Sequence, residues 1–276
     1  MIRRVVMLLG LLVVIAGCAP PLPSGFVKGA SAHHIRVGVH ERGYRLYLPA
    51  ALPASAPLVV VMHGVSGSAK QAERAFGWDE VADSAKFAVA YPDGLDRSWN
   101  VDGETCCGRS GREGVDDVGF VGAAVADITK NVGIDPAKIY ATGMSNGGIM
   151  SYTLACSTDI FAAIGPVAGT QLNACGSPHP ESVMHIHGTA DDLVPYNGGP
   201  GFSVINGPPV RETNAFWRNV DRCGAAAVST DGPVTTSTAE CPEGRSVVLI
   251  TVDGGGHDWP AFATRRLWEF FATHPR

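Results

Sequence analysis

The chain has 276 residues with 21 Lys+Arg against 26 Asp+Glu, a formal charge of −5, so it lacks the basic excess that a nucleic-acid partner requires. Hydrophobic residues make up 45% and charged residues 17%, below the roughly 25% charged that is usual in soluble domains, which excludes a charge-expanded disordered chain. No internal period, charge block or long linker divides the chain after residue 40, so one catalytic-size domain over 41–276 is expected.

At the N-terminus Arg3 and Arg4 precede an apolar run, 5–17, that is too short for a membrane span of about 20 residues and reads as an export signal. Ile15-Ala16-Gly17-Cys18 resembles the lipobox of bacterial lipoproteins. That resemblance implies removal of residues 1–17, a lipid on Cys18 and attachment to a membrane of the bacterial cell envelope. The alternatives are an ordinary secretory signal cut nearby and an uncleaved anchor. Residues 18–40, with Pro20, Pro21, Pro23 and Gly25, then read as a lipidated tether. Cys106, Cys107, Cys156, Cys175, Cys223 and Cys241 remain, an even set in an exported chain, so disulfides are expected. Proximity favours Cys156 with Cys175 and Cys223 with Cys241, whereas adjacent Cys106 and Cys107 make an awkward bridge. There is no C-x-x-C, and no zinc site is expected.

From residue 41 strand-like and helix-like segments alternate. Residues 42–48 show period two, and 58–62 form a continuous apolar run suited to a strand covered on both faces. Helical spacing over 71–86 is interrupted near Gly77, and 87–91 is a strand closed by Pro92. Residues 117–131 read as a helix with Asp116 or Asp117 at its N-cap. There follow a strand at 138–142, a helix at 146–156, strands at 162–167 and 183–187, a helix at 211–222, a last core strand at 246–252 and a closing helix at 261–273. This alternation predicts an α/β fold with a mostly parallel, doubly wound sheet and helices on both faces. The longest irregular stretch, 92–115, is expected to be functional.

Gly143-Met144-Ser145-Asn146-Gly147 is a G-x-S-x-G between a predicted strand and a predicted helix, the context of a nucleophile elbow. A serine hydroxyl is a weak nucleophile at neutral pH and needs a base oriented by a carboxylate. The acid is expected after a later strand, where 185–195 offers Asp191, with Asp192 as a rival that otherwise reads as a solvated loop charge. The base is expected after the last core strand, where 252–260 holds a single histidine, His257. A tetrahedral intermediate also needs two backbone donors for its oxyanion. The Asn146 amide and, from the loop after the early buried strand, the Val65 amide are the candidates. His63 and His187 precede glycines at strand ends and are expected to make structural hydrogen bonds. His185 and His187 could mimic a metal pair but lack a third ligand, and His33, His34, His40 and His274 read as solvated.

The His63-Gly64 loop, Ser98-Trp99-Asn100, Cys106-Cys107-Gly108, Asp116-Asp117-Val118-Gly119-Phe120, the elbow and the segments 187–195 and 255–260 together resemble the extracellular poly(3-hydroxybutyrate) depolymerase and feruloyl esterase family of α/β-hydrolases. The resemblance covers most of 41–260. It implies an α/β-hydrolase fold without a large lid domain, with Ser145, Asp191 and His257 as nucleophile, orienting acid and general base. It also implies that Trp99 and Trp259 line the substrate pocket, the alternative for each being core packing. Polymer-degrading members commonly carry an added substrate-binding domain, whereas this sequence stops at Arg276, so soluble oligomers or small esters are the expected substrates.

The expectation is an exported serine esterase, monomeric and independent of metal or organic cofactor. It hydrolyses 3-hydroxybutyrate oligomers or related esters, with feruloyl or acetylxylan esters as the alternative. Acyl transfer to a sugar or lipid, and a non-catalytic binding protein on the same scaffold, are the other classes considered.

Overall fold

The computed structural model describes residues 25–102 and 106–276; the signal, Cys18 and the start of the tether lie outside the described residues. A hairpin, β1 (Gly29–Val37) and β2 (His40–Leu48), is followed by β3 (Ala56–Met62), helices α1 (Ala69–Ala75) and α2 (Trp78–Ala85), and β4 (Ala88–Pro92). The long connection after β4 carries α3 (Gly108–Arg112) and leads to α4 (Asp117–Asn131), β5 (Ile134–Met144), α5 (Asn146–Ser157), β6 (Ala163–Val167) and β7 (Ser182–Gly188). Two short paired segments, β8 (Gly199–Pro200) and β9 (Asn206–Gly207), precede α6 (Val210–Val220), the hairpin β10 (Ala227–Asp231) and β11 (Val234–Glu240), β12 (Ser246–Val252) and α7 (Ala263–Thr273).

The main sheet runs β1-β2-β4-β3-β5-β6-β7-β12-β11-β10, parallel from β4 to β12 and antiparallel at both flanks. β3 shows why the centre is parallel. Leu58, Val60 and Met62 join one core with residues of α4 and α5, while Val59 and Val61 join the other with residues of α1, α2 and α7. An unbroken apolar run is thus divided by the period-two geometry of a strand between two helical layers.

Gly77, at φ 68°, separates α1 from α2 where the helical spacing breaks, and the Asp116 side chain caps α4 by accepting from the Gly119 amide at 2.7 Å. The tether expected over 18–40 ends earlier than that. Gly29–Val37 is a strand whose alternate residues turn inward, with Ile35 and Val37 on the core and His33 between Phe26 and Tyr44 at 4.4 and 5.0 Å. His33 is therefore half-buried, and the folded unit begins well before residue 41. Cysteine pairs 156–175 and 223–241 are bonded, and so is the adjacent pair 106–107.

A buried ion pair ties the long connection to the sheet. Arg42 Nη2 donates to Asp117 Oδ1 at 2.6 Å, with the two side chains 2% and 0% exposed. Asp117 Oδ2 accepts from the Asn100 amide at 2.7 Å and from Ser110 Oγ at 2.6 Å. Removing one partner strands a buried charge, so Asp117→Ala should destabilise the fold by about 3–5 kcal/mol. The exposed pair Arg109–Glu113 is the control: Arg109→Ala should leave the urea midpoint unchanged, and equal midpoints for both variants would contradict the assignment.

Candidate active site

β5 ends at Met144 and α5 begins at Asn146, leaving Ser145 alone in the turn at φ 57°, ψ −123°. A non-glycine residue with positive φ persists only where the surroundings fix it. Here the Ser145 amide donates to Val167 O at 2.9 Å and its carbonyl accepts from Ile149. A Cβ on Gly143 would stand 2.6 Å from the Gly147 backbone, and one on Gly147 only 2.3 Å from Met62 O. Neither position admits a side chain. Among the described residues Ser145 Oγ makes no hydrogen bond, and it faces a cavity that His257 also lines.

The other candidates come from loops after β7 and β12, which pair in parallel as neighbours. Ala190 N donates to Gly255 O at 2.8 Å and Thr189 N to Val252 O at 2.9 Å. Gly188 is needed because a Cβ there would lie 2.2 Å from Gly255 O. The two loops, stitched together in this way, bring His257 Nδ1 to donate to Asp191 Oδ2 at 2.8 Å. Asp191 Oδ1 accepts from the Leu193 and Val194 amides at 2.9 and 2.8 Å. Burial pushes the Asp191 carboxyl up, but hydrogen bonds from His187, His257 and Val194 outweigh it and hold the group well below the ordinary carboxylate range. Asp192 is exposed, so the acid that meets His257 is Asp191.

The loop after β3 lies against the elbow: a Cβ on Gly64 would come within 3.3 Å of Ser145 Cβ. The Gly64 carbonyl accepts from His63 Nδ1 at 2.7 Å and from the Gly67 amide at 2.9 Å. In a trans peptide the C=O and the following N–H point in opposite directions, so these bonds turn the Val65 N–H away from the loop interior. Among the described residues neither the Val65 nor the Asn146 amide donates to an acceptor. His63, fully buried, accepts from the Gly94 amide on Nε2 at 3.0 Å, and burial holds its pKa down. It makes the structural bond expected of it.

The two tryptophans do not line the cavity. Trp99 is fully buried behind the elbow. Its amide donates to Asn146 Oδ1 at 2.8 Å, its carbonyl accepts from Asn146 Nδ2 at 3.2 Å, and its indole donates to His63 O at 2.8 Å. It braces the serine turn against the β3 loop. Trp259 stacks on Phe76 at 4.3 Å and donates to Thr264 Oγ1 at 2.9 Å, so Phe76, rather than Trp259, reaches the cavity wall. The cavity, about 690 Å³, is completed by Met144, Leu193, Phe202, Val204 and Ile205, with Cys107 and Arg112 contributed by the long connection after β4. The apolar members after Asp191 went unassigned in the sequence. Their signal was present as large side chains in a Gly- and Pro-rich stretch, 198–209, where Phe202 and Val204 remain half-exposed. Among the described residues no cluster of three or more potential metal ligands occurs.

The family model described as Esterase PHB depolymerase matches residues 42–194. Over 256 residues the chain is 34% identical to "Putative esterase NocK" of Nocardia uniformis subsp. tsuyamanensis, covering 83% of this chain and 74% of that one. It is 32% identical over 226 residues to feruloyl esterase B of Piromyces equi, covering 74% of this chain and 40% of that enzyme's length. Among solved structures, acetyl xylan esterase from Aspergillus awamori superposes with a TM-score of 0.69 over 88% of this chain and 99% of that one, at 16% identity. The poly(3-hydroxybutyrate) depolymerase LpqC from Bordetella parapertussis gives 0.61 over 91% and 93%, at 19% identity. At these identities the likeness establishes the fold, the α/β-hydrolase fold.

The depressed Asp191 carboxyl predicts a pH-dependent contribution to stability. A group more acidic folded than unfolded stabilises fully above the unfolded value of about 4, and the contribution is lost as pH falls below it. The melting-temperature advantage of wild type over Asp191→Asn should therefore be full at neutral pH and shrink on acidification below about pH 4; a gap constant with pH would contradict it.

Proposed function

The chain belongs to the PHB depolymerase esterase family and is a carboxylic ester hydrolase, and from that premise we propose that it is an exported serine esterase working through Ser145, His257 and Asp191. The observation that carries the proposal is the 2.8 Å bond from His257 Nδ1 to Asp191 Oδ2 on the cavity that Ser145 also faces. With Nδ1 committed to the carboxylate, Nε2 is the nitrogen left to take a proton from the serine.

In the first half-reaction His257 Nε2 takes the Ser145 proton as Oγ attacks the ester carbonyl carbon. The carbonyl oxygen becomes an oxyanion received by the Val65 and Asn146 amides. Collapse breaks the carbon–oxygen bond to the alcohol, which leaves with the proton from His257 and yields an acyl-serine. Water, deprotonated by the same imidazole, attacks the acyl carbon; Ser145 departs and regains the proton, releasing the acid. Neither half-reaction calls on a metal or organic cofactor.

The cavity of about 690 Å³ has room for an oligomeric ester, and we take 3-hydroxybutyrate oligomers or related esters as the substrate class. Feruloyl and acetylxylan esters are the second reading, the feruloyl esters favoured by the name of the Piromyces equi relative. Three disulfides among the described cysteines support folding outside the reducing cytoplasm. Cys18 is the proposed lipid attachment point, in keeping with export.

Ser145→Ala should abolish hydrolysis of p-nitrophenyl butyrate with the circular dichroism spectrum unchanged, and retained turnover would overturn the mechanism. Because the imidazole must be neutral to act as base, wild-type kcat/KM should fall on acidification; a profile flat to pH 4 is incompatible with it. A panel of hydroxybutyrate oligomers, methyl ferulate and acetylated xylan should give the highest kcat/KM for the oligomers. Preference for the ferulate or the xylan would select the second reading.

A further inference from the structure

Behind the acid lies a chain of polar side chains with no role in the mechanism above. Tyr152 on α5 and His185 and His187 on β7 are 0, 0 and 1% exposed. Tyr152 Oη lies 2.7 Å from His185 Nδ1, and His185 Nε2 lies 2.9 Å from His187 Nδ1. His187 Nε2 is 2.8 Å from Val194 O and 3.2 Å from Asp191 Oδ2. Three consecutive polar groups in a core are costly unless all are satisfied together.

We propose that these residues form a one-way hydrogen-bond relay ending on the Val194 carbonyl beside the catalytic acid, with His187 as a positioning residue for Asp191. The direction follows from its end. The Val194 carbonyl only accepts, so His187 Nε2 carries a proton and donates it to Val194 O, with Asp191 Oδ2 3.2 Å from the same nitrogen. With the ring neutral, Nδ1 accepts from His185 Nε2–H, and His185 Nδ1 in turn accepts the Tyr152 hydroxyl proton. One arrangement satisfies every polar atom of the three side chains. Burial, with His187 beside it, holds the His185 pKa far down, in keeping with a neutral ring. The His187 ring also meets Tyr196, 5.8 Å away, whose hydroxyl accepts from Arg211 and is paired with Thr251.

The consequence falls on Asp191. Its Oδ1 is fixed by two backbone amides, but its Oδ2 is bonded to His257, the group it must orient, and is otherwise flanked by the His187 ring, whose Nε2 lies 3.2 Å away. Without His187, the Oδ2 side of the carboxylate is held only by the catalytic ring, and acid and base drift together. The His187 N–H also draws negative charge away from the oxygen facing His257. Its loss should make that oxygen a stronger acceptor, hold the protonated imidazole more tightly and move the acid limb of the rate profile to higher pH.

The inference rests on the proposed triad, and the test separates the two. His187→Leu and His187→Gln are assayed with p-nitrophenyl butyrate across pH, with rates normalised to the serine titrated by a fluorophosphonate, and Ser145→Ala is assayed alongside with rates normalised to protein concentration. His187→Leu should lower kcat by about 10- to 100-fold, the scale of small misplacements of catalytic groups. Its KM should be little changed and its acid limb shifted upward. His187→Gln, which keeps a donor, should recover most of kcat and the wild-type limb. A merely structural role would lower melting temperature and yield but leave normalised kcat and the limb in place, overturning the proposal while inactive Ser145→Ala upholds the triad. Turnover by Ser145→Ala would instead overturn the triad itself. Nitrogen NMR of the wild-type protein needs no variant to fold: both His185 and His187 should show the neutral Nε2–H tautomer between pH 6 and 8. A cationic His187 or an Nδ1–H tautomer at either ring would overturn the relay.

Discussion

Ser145 sits at φ 57°, ψ −123°, and the geometry of the site depends on that one unfavourable turn. Such a residue costs on the order of 1–3 kcal/mol, and the surrounding fold offsets it. β5 and α5 meet with backbone close enough that Gly143 and Gly147 have no room for side chains, and the amide and carbonyl of Ser145 are both bonded. The turn exposes Oγ at the sheet rim and leaves the first amide of α5 without an intrahelical acceptor. The same backbone conformation therefore presents both the proposed nucleophile and one proposed oxyanion donor.

The remaining groups reach that point because their strands run parallel and end on one side. Loops after β3, β5, β7 and β12 supply Val65, Ser145, Asp191 and His257, and the strand order β3-β5-β6-β7-β12 sets them along one rim, where parallel sheets place their sites. Two internal braces keep the loops in register. Trp99 joins the elbow to the β3 loop through Asn146 and His63. Backbone bonds from 189 and 190 to the β12 end hold the loops of Asp191 and His257 together. Asp117 anchors the connection that carries Trp99, so a buried ion pair far along the chain contributes to placing the serine.

Much of this was legible in the sequence where a residue's chemistry allows few alternatives. G-x-S-x-G at a strand-to-helix junction has one main structural meaning, and β3 declares itself by five consecutive apolar residues, 58–62. The flanking strands β1, β10 and β11 were not legible. β1 alternates Ser31, His33, Ile35 and Val37 with exposed residues but follows a Pro-rich segment, and β10–β11 is built largely of Ser and Thr with little burial. Edge strands of this kind are fixed by pairing with a neighbour, which composition does not reveal. Trp99 and Trp259 show the same limit: an aromatic near a catalytic motif can form the wall or stand behind it, and only packing decides. His185 and His187, two positions apart, resembled a metal pair because the strand puts both on one face; the tyrosine that completes their chain comes from another element.

A crystal structure of the enzyme inactivated by an alkyl phosphonate tests the central geometric claim most directly. The account predicts phosphorus bonded to Ser145 Oγ, with one phosphonyl oxygen about 2.7–3.1 Å from both the Val65 and Asn146 nitrogens. It also predicts His257 Nε2 facing the leaving-group position with its Nδ1 still on Asp191. An adduct whose oxygen lies away from those two amides, or a His257 ring turned from Asp191, would contradict the account.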